Sequence, residues 1–309
     1  MKKSLLAVSL LALAGTAAAD PFYLDVGTAY GSVNVGNCAT CTGNKDEATI
    51  LYDSSTTIID VDNNGIDVGD TVITNGGLGV ALLPGMSNPH PSSAFGSLDS
   101  NLITGFNPSS TSNDYGISPD GSWVVSFGFS NLTGVVSGFN GSVPLLSYGP
   151  GTINFYVSEM GGAQQNFMNV NVDFGGPDGL GTAIFGEVDF TGIGAMLSLA
   201  NTDLRNLFHS ATHSCNGKDG FYDIWNECGA GSLGNDIMEI FFDGHFDTNV
   251  LLSQFAADAA NNGQDGDDRY YVSTNHDGSI TFRVPEPGTL AMFGMSLLAL
   301  GGLSRRRKS

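Results

Sequence analysis

The sequence predicts a mostly β protein: an antiparallel β-sandwich or jelly-roll-like domain with one or two short helices. Three observations predict it. Apolar segments are short, rich in Val, Ile, Phe and Tyr, and often alternate with polar residues. Turn formers bound them, and 43 of the 309 residues are glycine. Apolar residues make up 41% of the chain and aromatic ones 10%, enough for a packed core and too much for a disordered polyelectrolyte.

Residues 1–19 read as a secretory signal peptide. Lys2 and Lys3 form a positive start, Leu5 to Ala14 an apolar stretch, and Ala17-Ala18-Ala19 the small residues before cleavage between Ala19 and Asp20. The apolar stretch is too short for a membrane anchor. Residues 20–284 then form the acidic, Gly-rich β-domain. Its strand candidates include SWVVSFGF, GTINFYVSEM, NVNVDFG, AIFGEVDF, DIMEIFFDGHF and GSITFRV. Pro119-Asp120-Gly121, Asn140-Gly141, Gly176-Pro177-Asp178-Gly179 and Asp277-Gly278 supply turns between them. Strands of this length and spacing pack as sandwiches or jelly rolls.

Two stretches break the β pattern. Residues 194–213 place Met196, Leu199, Leu204, Leu207 and Phe208 at roughly helical spacing, and 251–263 is a second, weaker helix candidate. Residues 84–118, dominated by Pro, Ser and Asn, read as long loops. Four cysteines fit an oxidising compartment and structural disulfides. Nearest-neighbour pairing of Cys38 with Cys41 and Cys215 with Cys228 would staple two local loops, but four cysteines allow three connectivities.

Charge excludes one class of partner. All 31 acidic side chains but only five of the 11 basic ones lie between Asp20 and Pro287, leaving this part near −26. Nothing there neutralises phosphates, so nucleic acid is excluded. Solubility and an affinity for divalent cations are the natural consequences.

The most suggestive local motif is DVDNNGIDVGD. Asp60, Asp62, Asn64 and Gly65 occupy positions 1, 3, 5 and 6 of a calcium loop, where alternate oxygens converge around a sharp glycine turn. Position 12 is Thr71, which lacks the bidentate carboxylate, so Asp67 and Asp70 would have to complete a site of another geometry. An acidic β-turn without metal is the competing reading. Asp265, Asp267 and Asp268 read as a solvated loop.

Other chemistry is weaker. His209 and His213 are four residues apart and would share a helix face, and Cys215 and Cys228 could join them around zinc. The Glu of a zinc protease is absent, and the thiols are expected to pair with each other. No GxSxG elbow or Ser-x-x-Lys occurs. Pairs such as Asp243/Asp247 and Glu187/Asp189 are the coincidences an acidic chain produces. Trp123 and Trp225 are expected in the core rather than on a sugar platform. The domain is therefore expected to be non-enzymatic, with no catalytic residues and calcium as its one candidate cofactor.

The chain ends VPEPGTLAMFGMSLLALGGLSRRRKS. After Pro285-Glu286-Pro287, residues 289–303 carry no charge but are short for a ~20-residue span. The basic tail 305–308, Arg305, Arg306, Arg307 and Lys308, would stay on the cytoplasmic side. The pattern describes a temporary stop on a translocating chain. It resembles the PEP-CTERM sorting signal of Gram-negative bacteria, here spanning residues 285–309. The resemblance implies passage through the secretion machinery and transient insertion in the inner membrane. It also implies processing near Pro285-Glu286-Pro287 by an exosortase, in bacteria that make exopolysaccharide.

Two blocks of the body, DNNGIDVGDTVI and YYVSTNHDGSITFRVPEP, are similar to the flocculation-associated PEP-CTERM proteins. That resemblance implies a role in cell aggregation, flocculation or biofilm formation, with extracellular polysaccharide as partner, at the cell surface or in the matrix. A calcium-dependent or lectin-like carbohydrate-binding module is the alternative, and a secreted hydrolase a third.

Overall fold

The computed structural model describes residues 19–25, 41–78, 103–107, 123–159, 163–179, 181–197, 203–231, 238–248, 250–257 and 268–284. In chain order the strands are β1 (Phe22–Leu24), β2 (Glu47–Asp60), β3 (Thr71–Gly77), β4 (Ile103–Asn107), β5 (Trp123–Asn140), β6 (Val143–Tyr148) and β7 (Gly151–Glu159). They continue with β8 (Gln165–Asp178), β9 (Gly181–Asp189), β10 (Phe208–Ser210), β11 (Phe241–Phe246), β12 (Ala256–Ala257) and β13 (Asp268–Arg283). A single α-helix among the described residues, α1, spans Phe221–Cys228.

All pairings are antiparallel, as the alternation predicts. The large sheet runs β13-β11-β9-β8-β6-β5-β3-β2, with β7 also bridging β5 and β8. β6 and β7 lie in line along β5: Asn140 faces Val143, and Trp123 faces Glu159. The two ends of the sheet then meet, because β2 pairs with β13 from Ala48↔Ile280 to Asp60↔Asp268. The packed layers of the sandwich are thus opposite walls of one sheet that closes on itself, with eight staves when β6 and β7 count as one. Closure removes the two long exposed edges that an open sheet would present.

Side chains alternate across this wall. In β11, Phe242, Gly244 and Phe246 point inward while Phe241, Asp243 and His245 are half-buried outside. Val125, Phe127 and Phe129 of β5 and Ile153, Phe155 and Val157 of β7 fill the same interior. β2 departs from a simple apolar alternation. Tyr52, Ser54 and Thr56 are buried, and so are Asp53 and Ser55 between them.

The two ends of the barrel differ. One end, where β13 finishes, is closed by β1, β10 and α1. There Phe282 meets Phe22, Phe208 and Phe221 at ring-centroid distances of 5.4, 5.4 and 5.1 Å. β1 pairs with β10 in a small separate sheet, and a disulfide joins Cys215 to Cys228 across a separation of 13 residues. Loop closure of this size contributes about 3 kcal/mol by limiting the unfolded chain. Cys41 is also disulfide-bonded; Cys38 lies outside the described residues. The opposite end carries the β2–β3 loop and the β5–β6 and β8–β9 turns.

The helices differ from the expectation. In 194–213 the described part holds a short 3-10 turn (Leu204–Asn206) and then β10 rather than a helix, and Leu199 lies outside the described residues. Leu204, Leu207 and Phe208 are buried, so the apolar spacing was real, but a turn followed by a strand satisfies it. In 251–263 the described part is a 3-10 turn, Leu252–Gln254, followed by β12. The helix that forms, α1, starts after Gly220, which has no side chain to cap it. Asn206 supplies the cap instead: its Oδ1 accepts from the Asp223 amide at 3.1 Å while its Nδ2 donates to the Asp223 carboxylate at 3.0 Å. Within 84–118, expected as loops, the described part is β4.

Candidate functional site

The acidic motif forms the loop between β2 and β3, on the rim opposite the aromatic plug. Its sharp bend needs left-handed backbone at Asn63 (φ 57°), Gly65 (φ 98°) and Gly69 (φ 108°), which explains the Asn and the glycines there. The exit is pinned to β5, with the Gly69 amide donating to the Val136 carbonyl at 2.9 Å and the Val136 amide donating to the Asp70 carbonyl at 2.9 Å.

The fold brings most of the expected ligands together. Carboxylate oxygens of Asp60, Asp62 and Asp70 lie within 4.8 Å of one another. Asp60 and Asp70 are buried, whereas Asp62 is exposed. Asn64 turns its Nδ2 toward Asp62 Oδ2 (2.8 Å) and Asp67 Oδ2 (3.2 Å), so it bridges those carboxylates as a donor. A cation there would take their charge instead, with the Asn64 amide turned over to offer its oxygen. Strands flank the loop on both sides and Thr71 opens β3, so the geometry is not that of an EF-hand. Sequence reasoning left Asp268 in a solvated loop. The β2–β13 pairing instead sets it directly opposite Asp60 on the same rim.

Crowding shows in the acidities. Burial pushes the Asp60 carboxyl up, but the amides of Gly65, Asn64 and Asn63, together with a hydrogen bond from Asp62, outweigh it and hold Asp60 below the ordinary range. Asp62 is raised by desolvation, by sharing that hydrogen bond and by the charge of Asp67. Asp70 is raised by burial and by the charges of Asp60 and Asp67. A divalent cation would relieve this repulsion, since its charge is the largest such a rim could hold.

The remaining candidates separate. His209 lies in β10 and His213 beyond it, not on one helix face. The Cys215–Cys228 disulfide removes both thiolates a zinc ion would need. His209 Nδ1 instead meets Asp219 Oδ1 at 3.0 Å, its ring stacks on Tyr23 at 4.8 Å, and Tyr23 donates to Asp219 Oδ2 at 2.7 Å. Asp243 pairs with Arg283 at 2.6 Å. Burial raises Glu187, with the charges of Glu239 and Asp173 adding to it. Trp225 is half-buried against Phe190 and Tyr222. The side chain of Trp123, and Asp265 and Asp267, lie outside the described residues.

At the plugged end the described residues next to the two expected processing points meet. The Asp20 amide donates to the Phe282 carbonyl at 2.9 Å, and the Val284 amide donates to Asp20 Oδ2 at 2.6 Å. The residue after the expected cleavage at Ala19 is therefore tied to the last described residue before Pro285. Glu286, Pro287, the 289–303 segment and Arg305, Arg306 and Arg307 lie outside the described residues. No described helix is long and apolar enough to cross a membrane.

Comparison with known families places the C-terminal reading on firm ground. The model of the PEP-CTERM protein-sorting motif matches residues 283–308. No curated protein and no solved structure matches the chain, and nothing supports the narrower flocculation-associated group. Arg283 and Val284, the first residues of the match, still belong to the barrel and its plug. The chain carries a PEP-CTERM protein-sorting motif at its C-terminal end, a signal that implies export and sorting to the cell surface by exosortase-type machinery.

Proposed function

We propose that the protein is a non-enzymatic surface or extracellular-matrix component that supports cell aggregation, flocculation or biofilm formation together with exopolysaccharide. The observation that carries this reading is the pairing of the sorting motif with a body near −26 whose carboxylates crowd one rim. Such a rim can be bridged to acidic polymer through divalent ions. The non-enzymatic reading draws support from the His–Asp pair that most resembles catalytic machinery. His209 Nε2 is buried and meets no nucleophile among the described residues. A strain lacking the protein is expected to settle slowly and to shed exopolysaccharide into the medium, with both defects restored by the intact gene. Normal flocs with normal retention in the deletion strain would refute the role.

A second reading, a calcium-dependent module, is favoured by the convergence of Asp60, Asp62 and Asp70 within 4.8 Å. Calcium added to the exported protein is expected to release heat with a stoichiometry of one. At a hundredfold excess over Kd it should raise folding stability by about 2.7 kcal/mol. Asp60→Asn should abolish the heat. An unchanged melting curve and a flat titration would leave the rim as an acidic turn.

A further inference from the structure

The barrel interior is not filled to the rim. Below the acidic loop lies a cavity of about 20 Å³, room for one group of water size, whose walls come from β2, β3, β5, β6, β9, β11 and β13. The opposite end is stopped by the phenylalanine plug, so this cavity faces the free end of a closed eight-stave barrel. Barrels of that size are either packed solid or hold one small ligand. Here the packing leaves a water-sized gap, and the side chains around it are not those of a simple core.

Hydroxyl groups gather in it. Thr56 Oγ1 and Thr74 Oγ1 are 3.1 Å apart, and Thr74 Oγ1 is 2.8 Å from the Tyr148 hydroxyl. These three groups on three strands share two hydrogen bonds, which use two of their three protons. Ser54 Oγ also lines the cavity, fully buried and with no hydrogen-bond partner among the described residues. Aromatic rings line the same cavity: Tyr52, Phe129 and Phe246 make a cluster of edge-to-face and tilted pairs with centroids 5.6 to 6.3 Å apart.

The lining also has a sign. No Asp, Glu, Lys or Arg is among its described residues. His276, its one titratable base, is held neutral by burial. A cation would be buried there without a partner, and an anion would have to approach a strongly acidic body.

The mouth is crossed by a strap, Val250–Ala257, held by few bonds. The Leu252 amide donates to the Ser142 carbonyl at 2.9 Å, and β12 adds a two-residue pairing with β13. Phe255 reaches from this strap into the cavity wall while Leu251 beside it stays 42% exposed. Among the described residues the Leu252–Ser142 bond and the β12 pairing are the strap's only backbone bonds to the rest of the barrel, and opening would cost the burial of Val250 and Phe255.

We propose that this end of the barrel is a binding pocket for a small uncharged molecule that joins an apolar ring to a hydroxyl group, admitted by displacement of the Val250–Ala257 strap. The ring takes the place of Phe255 in the cavity wall that Tyr52, Phe129 and Phe246 also line. The hydroxyl pairs with Ser54 Oγ and with the unspent proton of the Thr56–Thr74–Tyr148 chain. This pocket is independent of the acidic rim and of any calcium bound there.

The test uses the protein as cells export it, titrated calorimetrically with 4-methylphenol, toluene and 4-methylbenzoate. Saturable one-to-one binding of 4-methylphenol is expected, with toluene about thirtyfold weaker, the net worth of two hydrogen bonds. No heat is expected from the benzoate. Ser54→Ala should weaken 4-methylphenol severalfold and leave toluene unchanged. Its melting point should not fall, because the hydroxyl removed has no partner. Phe255→Ala should bind faster and more tightly. Absence of saturable binding in the native protein, equal affinities for phenol and toluene that Ser54→Ala does not alter, or binding of the benzoate would each overturn the proposal.

Discussion

Replacing Phe282 with alanine is expected to cost about 3–5 kcal/mol of folding stability, the range for emptying a phenylalanine site in a packed core. Phe282 is 1% exposed and holds two parts of the molecule together. Its ring touches Phe242 of the barrel wall at 6.0 Å, and Phe22, Phe208 and Phe221 of the plug. These partners come from β1, β10, β11 and α1, so no single neighbouring side chain can turn into the gap. In a chain of this size the loss corresponds to a fall in Tm on the order of 10 °C. Phe174→Ala is the matched control. Phe174 is 56% exposed and packs on Phe185 at 5.0 Å, so its loss should cost about 1 kcal/mol or less. Urea unfolding of both variants, followed by circular dichroism, gives the comparison. Equal losses would mean that the plug is not coupled to the barrel as drawn.

The same residues show what could be read from the sequence. The first half of β5, β7, the middle of β8, β9, β11 and the end of β13 were legible because an inward apolar residue at every second position is a local signal, whereas Asp277-Gly278, expected as a turn, lies inside β13. β2 was not, since its buried run includes Asp53, Ser54, Ser55 and Thr56, whose polarity reads as loop. Closure was beyond reach for another reason. The β2–β13 pairing joins residues more than 200 positions apart, and no periodicity encodes which edge finds which. The helix was missed because its cap, Asn206, lies 17 residues before the amide it serves. The acidic loop was legible because a loop is local, and the carboxylates of Asp60, Asp62 and Asp70 come within 4.8 Å of one another. Asp268 joins them only through the long-range register. The interior pocket had no sequence signal at all: Ser54, Thr74, Tyr148 and Phe255 are neighbours only once the barrel has closed.

Acid should destabilise the protein through His276. This imidazole is 6% exposed, packs against Tyr52 at 5.2 Å, and contacts the Asp247 backbone, with the Asp247 and Asp277 carboxylates nearby. Burial lowers its pKa to about 4; the Asp247 hydrogen bond and the two carboxylates offset only part of that. In the unfolded chain the same ring titrates near the ordinary value of 6.5. Between those values the unfolded state binds a proton that the folded state refuses, so stability falls as pH drops from about 6.5 to about 4. It is fully present above the unfolded pKa. The difference amounts to about 3 kcal/mol. Asp62 and Asp70, both raised, act in the opposite direction, because their folded forms keep protons that the unfolded chain has released. They are common to native protein and variant, so they cancel in a comparison with His276→Gln, which cannot titrate. Unfolding free energies measured at pH 7, 5.5 and 4 should therefore converge as the native protein loses its advantage. Parallel curves for the two proteins would place the acid-sensitive group elsewhere. Because His276 lines the cavity, its protonation would also put a charge where an uncharged guest is bound, so 4-methylphenol affinity should fall over the same pH interval.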